Sequence, residues 1–178
     1  MAKKTGDRAQ LHELLYQALE TEIGGIRLYK AAVACAVNQD LHKEWEDYLN
    51  ETTTHRQVLL SVFELLGLDP ETRTPGREVV EHLGASMVRA IEMARQAGDP
   101  IAAQRVAAEC VVLAETKDHA NWELIGLACD HLQAKEAKEA EVLRQAYDAV
   151  HRDEDHHLYY TPRAGRASCG STRWASPP

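Results

Sequence analysis

Gly67-Leu-Asp-Pro-Glu-Thr-Arg-Thr-Pro-Gly76 is the stretch on which the fold turns. Two glycines and two prolines in ten residues interrupt any regular element, and the sequence on both sides is helical in pattern. Upstream, a helix fits residues 40–66, and the polar Asn38-Gln39-Asp40 separates it from a first helix over 8–37. Downstream, a shorter helix fits 77–97 and is closed by Gly98-Asp99-Pro100. A fourth helix fits 101–131 and a fifth 134–160, before Pro162. The long helices, of ~27 residues each, would span about 40 Å. Short connections make antiparallel hairpins of the first two and of the last two. Residues 67–100 join the hairpins, and a connector with its own helix is longer than an up-and-down bundle requires. The expected fold is all-α: a four-helix bundle over residues 1–160 with a long crossover that contains an extra short helix.

Composition agrees. Of the 178 residues 44% are hydrophobic but only 6% aromatic, and Ala, Leu, Glu and Val carry the composition, which favours helix over sheet. That length supports one substantial core. The formal charge of −8 opposes phosphate binding and excludes nucleic acid as the expected partner. No apolar run approaches the ~18 residues of a membrane span, and the start Met1-Ala-Lys-Lys-Thr-Gly-Asp7 has no apolar signal stretch. Cys35, Cys110, Cys129 and Cys169 show no Cys-x-x-Cys spacing. They read as reduced, packed thiols in a cytoplasmic protein.

The interior stripes carry the chemistry. A bundle helix buries residues four and three apart in alternation. In the first helix these are Leu11, Leu15, Ala18, Glu22, Gly25, Tyr29, Ala32 and Ala36, apolar or aromatic except for Glu22. In the second they are Leu41, Trp45, Tyr48, Thr52, His55, Leu59, Val62 and Leu66, interrupted by Thr52 and His55. In the fifth they are Leu143, Tyr147, Val150, Glu154 and His157. The fourth helix is apolar nearly all round. One consistent line is Ala108, Val112, Glu115, His119, Trp122, Gly126 and Cys129, with Glu109 in reserve.

A buried carboxylate costs several kcal/mol unless it is paired or coordinated. A lone Glu in a helix ordinarily faces solvent, and a lone core His is ordinarily hydrogen-bonded. Interior polar residues on all four long helices, however, need something to hold their charge together. A divalent metal does so, and carboxylate with imidazole suits iron, manganese or zinc. A metal-free polar network in a structural or interaction module is the alternative.

These residues resemble the ferritin-like di-metal carboxylate proteins, such as bacterioferritins and rubrerythrins. Those families place a Glu on the first helix and Glu-x-x-His on the second, and repeat the set on the last two helices. Glu22 is followed seven residues later by Tyr29, as in those families. Glu154-Asp-His-His157 matches Glu-x-x-His, and Glu115 matches the third carboxylate. The second helix departs from the pattern, because Glu51-Thr-Thr-Thr-His55 has Thr52 in the carboxylate slot. The resemblance covers about residues 10–160 and extends, through Ala114-Glu-Thr-Lys-Asp-His119, to a group of bacterial ferritin-like proteins with no established substrate.

The resemblance implies a non-haem oxidoreductase holding one or two iron or manganese ions and acting on oxygen or hydrogen peroxide. Glu22, Glu115 and Glu154 would bind or bridge metal. His55 and His157 would ligate terminally, His119 would ligate or hydrogen-bond nearby, and Tyr29 would be a neighbouring or redox-active group. Thr52 makes the expected site asymmetric: one ion held well by Glu115, Glu154 and His157, and a weaker position near Glu22 and His55. Iron storage would need a cage, so a homo-oligomer stays open. Residues 161–178, rich in Gly, Ser, Arg and Pro, read as a disordered or aberrant tail. Residues 168–176 read one base earlier, with GC-rich codons, would give an amphipathic pattern, which suggests a frameshifted end.

Overall fold

In a computed structural model of the protein, residues 2–132 and 136–168 are described. They form five helices: α1 (Ala2–Val33), α2 (Gln39–Leu66), α3 (Pro75–Gln96), α4 (Pro100–His131) and α5 (Ala137–Ser168). No strand occurs among the described residues, and no helix there is long and apolar enough to cross a membrane. The helix ends follow their local chemistry. Asn38 caps α2 by accepting from Leu41 N at 2.9 Å. Gly67 ends α2 in the left-handed region at φ 68°, where a side chain would be strained. Thr74 and Asp99 cap α3 and α4, each followed by a proline at the first helical position, where the missing N–H is not needed.

The differences from the sequence reading lie at helix ends: α1 begins at Ala2 rather than 8, and α5 at Ala137 rather than 134. α1 stops at Val33 rather than 37, and Cys35 lies buried in the turn beyond it. α5 runs through Pro162 to Ser168, so the tail expected from residue 161 begins inside a helix. Arg163, Ala164, Arg166 and Ala167 are good helix formers and favour that continuation. Residues 169–178, with Cys169, lie outside the described residues. Cys35, Cys110 and Cys129 are free thiols.

α1 packs on α2, α2 on α5, α5 on α4, and α4 on α1, while α3 packs on α1 and α4 alone. The direction of each helix follows from what meets at each end. One apolar cluster joins Leu15 and Leu19 of α1 with Leu59 and Phe63 of α2, Ile125 of α4, and Leu143 of α5. The other joins Leu28 of α1 with Leu41 and Trp45 of α2, Ile91 of α3, and Val111 of α4. The beginning of α1 therefore meets the ends of α2 and α4 and the beginning of α5. α3 runs alongside α1 and carries the chain back to where α4 starts.

The loop 67–76 is tied down from below. Arg77, buried, donates from Nε to Glu20 Oε2 at 2.8 Å and from Nη1 to the carbonyls of Pro70 and Thr72. Glu13 Oε1 accepts from Thr74 Oγ1 at 3.1 Å and from Gly76 N at 3.0 Å. Fully burying each large apolar side chain contributes about 1.5–3 kcal/mol. The division of the core into two clusters matters for function, because Glu22, His55, Glu115, Asp118, Glu154 and His157, all buried, lie between them.

Candidate metal centre

Each long helix brings polar residues to the gap between the two apolar clusters. α1 supplies Glu22, α2 His55, α4 Glu115 and Asp118, and α5 Glu154 and His157, and all six are buried. Single ligand atoms of Glu22, His55 and Glu154 lie within 4.8 Å of one another, and so do those of Glu115, Glu154 and His157. Glu154 belongs to both groups.

The two histidines are oriented alike. His55 Nδ1 lies 3.0 Å from Glu154 Oε1 and 3.8 Å from Glu22 Oε1, while its Nε2 meets Asp153 Oδ2 at 3.2 Å. His157 Nδ1 lies 3.1 Å from Glu115 Oε2 and 3.9 Å from Glu154 Oε1, while its Nε2 meets Glu51 Oε2 at 2.7 Å. An outer carboxylate thus holds the proton on each Nε2 and turns each Nδ1 inward, the arrangement that prepares imidazole as a ligand. Both Nδ1 atoms lack a hydrogen-bond partner of good geometry. So do Oε2 of Glu22, Glu115 and Glu154 and Oδ1 of Asp118. Buried polar atoms are nearly always satisfied, and six unsatisfied in one place call for a missing partner.

The remaining contacts fix the carboxylates. Tyr29 donates to Glu115 Oε1 at 2.7 Å, and Trp122 Nε1 donates to Glu22 Oε1 at 3.0 Å. The Tyr48 ring lies against that of His157, with centroids 4.1 Å apart.

Electrostatics show the same deficit of positive charge. Burial holds the carboxyl of Glu22 well above its ordinary pKa, and Asp118 and Glu154 add to the effect. Burial does the same to Asp118 and Glu154, reinforced by their acidic neighbours. Burial and then Glu115 raise the Tyr29 phenol. Burial lowers His55, more than the nearby Asp153 raises it. Burial would also lower His157, but the Glu115 and Glu51 carboxylates outweigh it and lift its pKa to about 10. Four carboxyl groups therefore face one imidazolium, and the cluster must hold extra protons or a cation.

Five of the six residues singled out as ligands in the sequence, Glu22, His55, Glu115, Glu154 and His157, come together here, and Tyr29 touches Glu115. His119 does not reach the cluster. Its Nε2 pairs at 2.9 Å with Asp155 Oδ1 near the surface, and its ring meets that of Tyr159. The buried residues of α4 include Glu115, Trp122, Gly126 and Cys129 of the line read in the sequence, but Ala107, Val111 and Asp118 in place of Ala108, Val112 and His119. Asp118, three residues after Glu115, takes the inward place. Glu109 is not among the buried residues of α4.

Thr52 is buried in the carboxylate slot of α2 and packs against Gly25, where a Cβ would lie 3.1 Å from Thr52 Cγ2. Glu51, a neighbour about 100° round the helix, serves the outer nitrogen of His157 instead. Asp153 plays the corresponding part for His55 and was not picked out in the sequence, although both residues directly precede a stripe position. No family model, curated protein or solved structure matches the chain.

Proposed function

We propose that the chain is a ferritin-like non-haem metalloprotein, a four-helix bundle with a helical crossover, that holds iron or manganese and reacts with oxygen or hydrogen peroxide. One observation carries this reading: two inward Nδ1 atoms and carboxylate oxygens of Glu22, Glu115 and Glu154 converge in the core without hydrogen bonds of good geometry. Imidazole with carboxylate suits both metals. Glu22 and His55 would hold one ion, Glu115 and His157 another, and Glu154 would join the two. Bound metal would supply the electrons for reduction of the oxidant.

The chain's own residues supply the rest. Asp153 and Glu51 keep His55 and His157 in register. Tyr29, its phenol kept protonated, donates at Glu115 Oε1 and can replace a proton consumed there. The two apolar clusters exclude bulk water on either side. Thr52 withholds one negative charge on the Glu22 and His55 side, which favours unequal affinity for the two ions.

Total-metal analysis of protein purified without added metal, followed by anaerobic titration with ferrous and manganous salts, tests the proposal. Between one and two ions per chain are expected, and none tightly bound after Glu154→Gln. Peroxide consumption by the loaded protein should exceed that of the variant. A wild-type chain that takes up neither ion would overturn the reading and leave a metal-free polar network.

A further inference from the structure

Behind the centre, across the seam of α1 and α4, lies a cavity of about 490 Å³ roofed by α3. This is within the ordinary range of small-molecule sites, about 300–1,000 Å³. It stands back to back with the centre. Thr21, Leu28, Ala114 and Lys117 line the cavity, and the next residue in each case, Glu22, Tyr29, Glu115 and Asp118, belongs to the centre or touches it. Gly24 and Gly84 bring α1 and α3 close together, each backbone within van der Waals reach of a Cβ on the other.

The cavity has a polar and an apolar end. Cys110 Sγ lies against the carbonyl of Met87, and with Leu28 and Ala90 these residues form the apolar end. About two turns along α4, Lys117 stands at the other end beside Thr21 and Glu20. The charge of Glu20 is already matched by Arg77. That of Lys117 is not: its Nζ donates to the neutral amide oxygen of Asn121, whose Nδ2 donates to Thr21 Oγ1 at 2.9 Å. Among the described residues no carboxylate forms an ion pair with it. At the rim, Leu83 is 52% exposed and Leu113 62% exposed, large apolar side chains beside an apolar opening.

We propose that this cavity binds a small amphipathic monocarboxylate, its tail between Leu28 and Met87 and its carboxylate paired with Lys117. The lining of α4 from Cys110 to Lys117 rises about 10 Å, which sets the tail at medium length. A carboxylate would give the half-buried ammonium the partner it lacks. The inference is independent of the metal reading, since none of the lining residues is a candidate ligand.

Calorimetric titration of the full chain with octanoate, and separately with 1-octanol, tests it. Octanoate should bind at one per chain, with and without chelator, which separates this cavity from coordination of the acid at a metal. Lys117→Met should weaken octanoate at least tenfold and change octanol less than twofold. Ser86→Trp, which fills the cavity from α3, should abolish both, and Ala90→Phe replaces it if that variant fails to fold by circular dichroism. Absence of saturable binding, equal effects of Lys117→Met on acid and alcohol, or binding that survives the filled cavity would each overturn the proposal. So would a dimer in sedimentation that Leu113→Asp dissociates while octanoate does not bind, because the rim would then be an interface between copies.

Discussion

Glu154→Gln should stabilise the metal-free protein and destabilise it relative to wild type once metal is present. Glu154 is 1% exposed, its Oε2 has no partner, and burial opposes its ionisation. An unsatisfied buried polar group costs about 1–3 kcal/mol, more if charged. A glutamine of the same shape carries no charge, and its amide can donate toward His55 Nδ1, now 3.0 Å from Glu154 Oε1. Relief of about 1–3 kcal/mol corresponds to a rise in Tm of about 2–12 °C for a chain of this size.

With metal the order reverses. An ion present at a thousand times its Kd stabilises the fold by about 4.1 kcal/mol, or about 8–16 °C. The variant has lost the one carboxylate shared by both ligand groups and should gain almost none of this. Thermal melts of both proteins in chelator and in excess manganous salt measure all four values. A variant less stable than wild type in chelator would refute the reasoning, because Glu154 would then be a satisfied member of a polar network. Activity would in that sense be held at a cost in stability.

Thr52→Glu restores the missing carboxylate and should raise metal content toward two per chain. Total-metal analysis reads this, and an unchanged ratio would mean that the packing against Gly25 leaves the new group no path inward. Glu51→Gln removes the charge that fixes His157 Nε2 and should weaken metal affinity about 10–100-fold, read by competition with a chelating dye; an affinity within twofold of wild type would show that the outer contact is idle. In chelator, stability should fall as pH rises from about 5 to 9. Glu22, Asp118 and Glu154 have raised folded pKa values, and His157 is raised to about 10. Each binds more protons folded than unfolded above its ordinary pKa, so its contribution is lost as pH climbs through the folded value. His55, lowered by burial, acts in the opposite sense only below about 6.5. A Tm that rises across this range would contradict the buried-carboxyl account, and metal should flatten the decline because it replaces the protons.

Much of the centre could be read from the sequence because α2 and α5 are amphipathic and α1 carries one acid, Glu22, in an otherwise apolar or aromatic line. His55, Glu154 and His157 likewise stand out where leucine would be cheaper. Periodicity sets the phase of those helices before any partner is known. The breakers in 67–76 and 98–100 likewise act locally, and α2, α3 and α4 begin or end there. α4 carries apolar residues at exposed positions too, such as Leu113, Leu124 and Leu127, and is packed by α1, α3 and α5 together. Its phase is set by those neighbours, and the choice between Asp118 and His119 was therefore a tertiary decision. The same holds for Glu51 and Asp153: each is one residue from a stripe position, and only the placement of the opposite histidine, 106 and 98 residues away in the chain, gives it a partner. The cavity under α3 left no trace in the pattern at all, because it is a space between α1, α3 and α4 that only their packing creates.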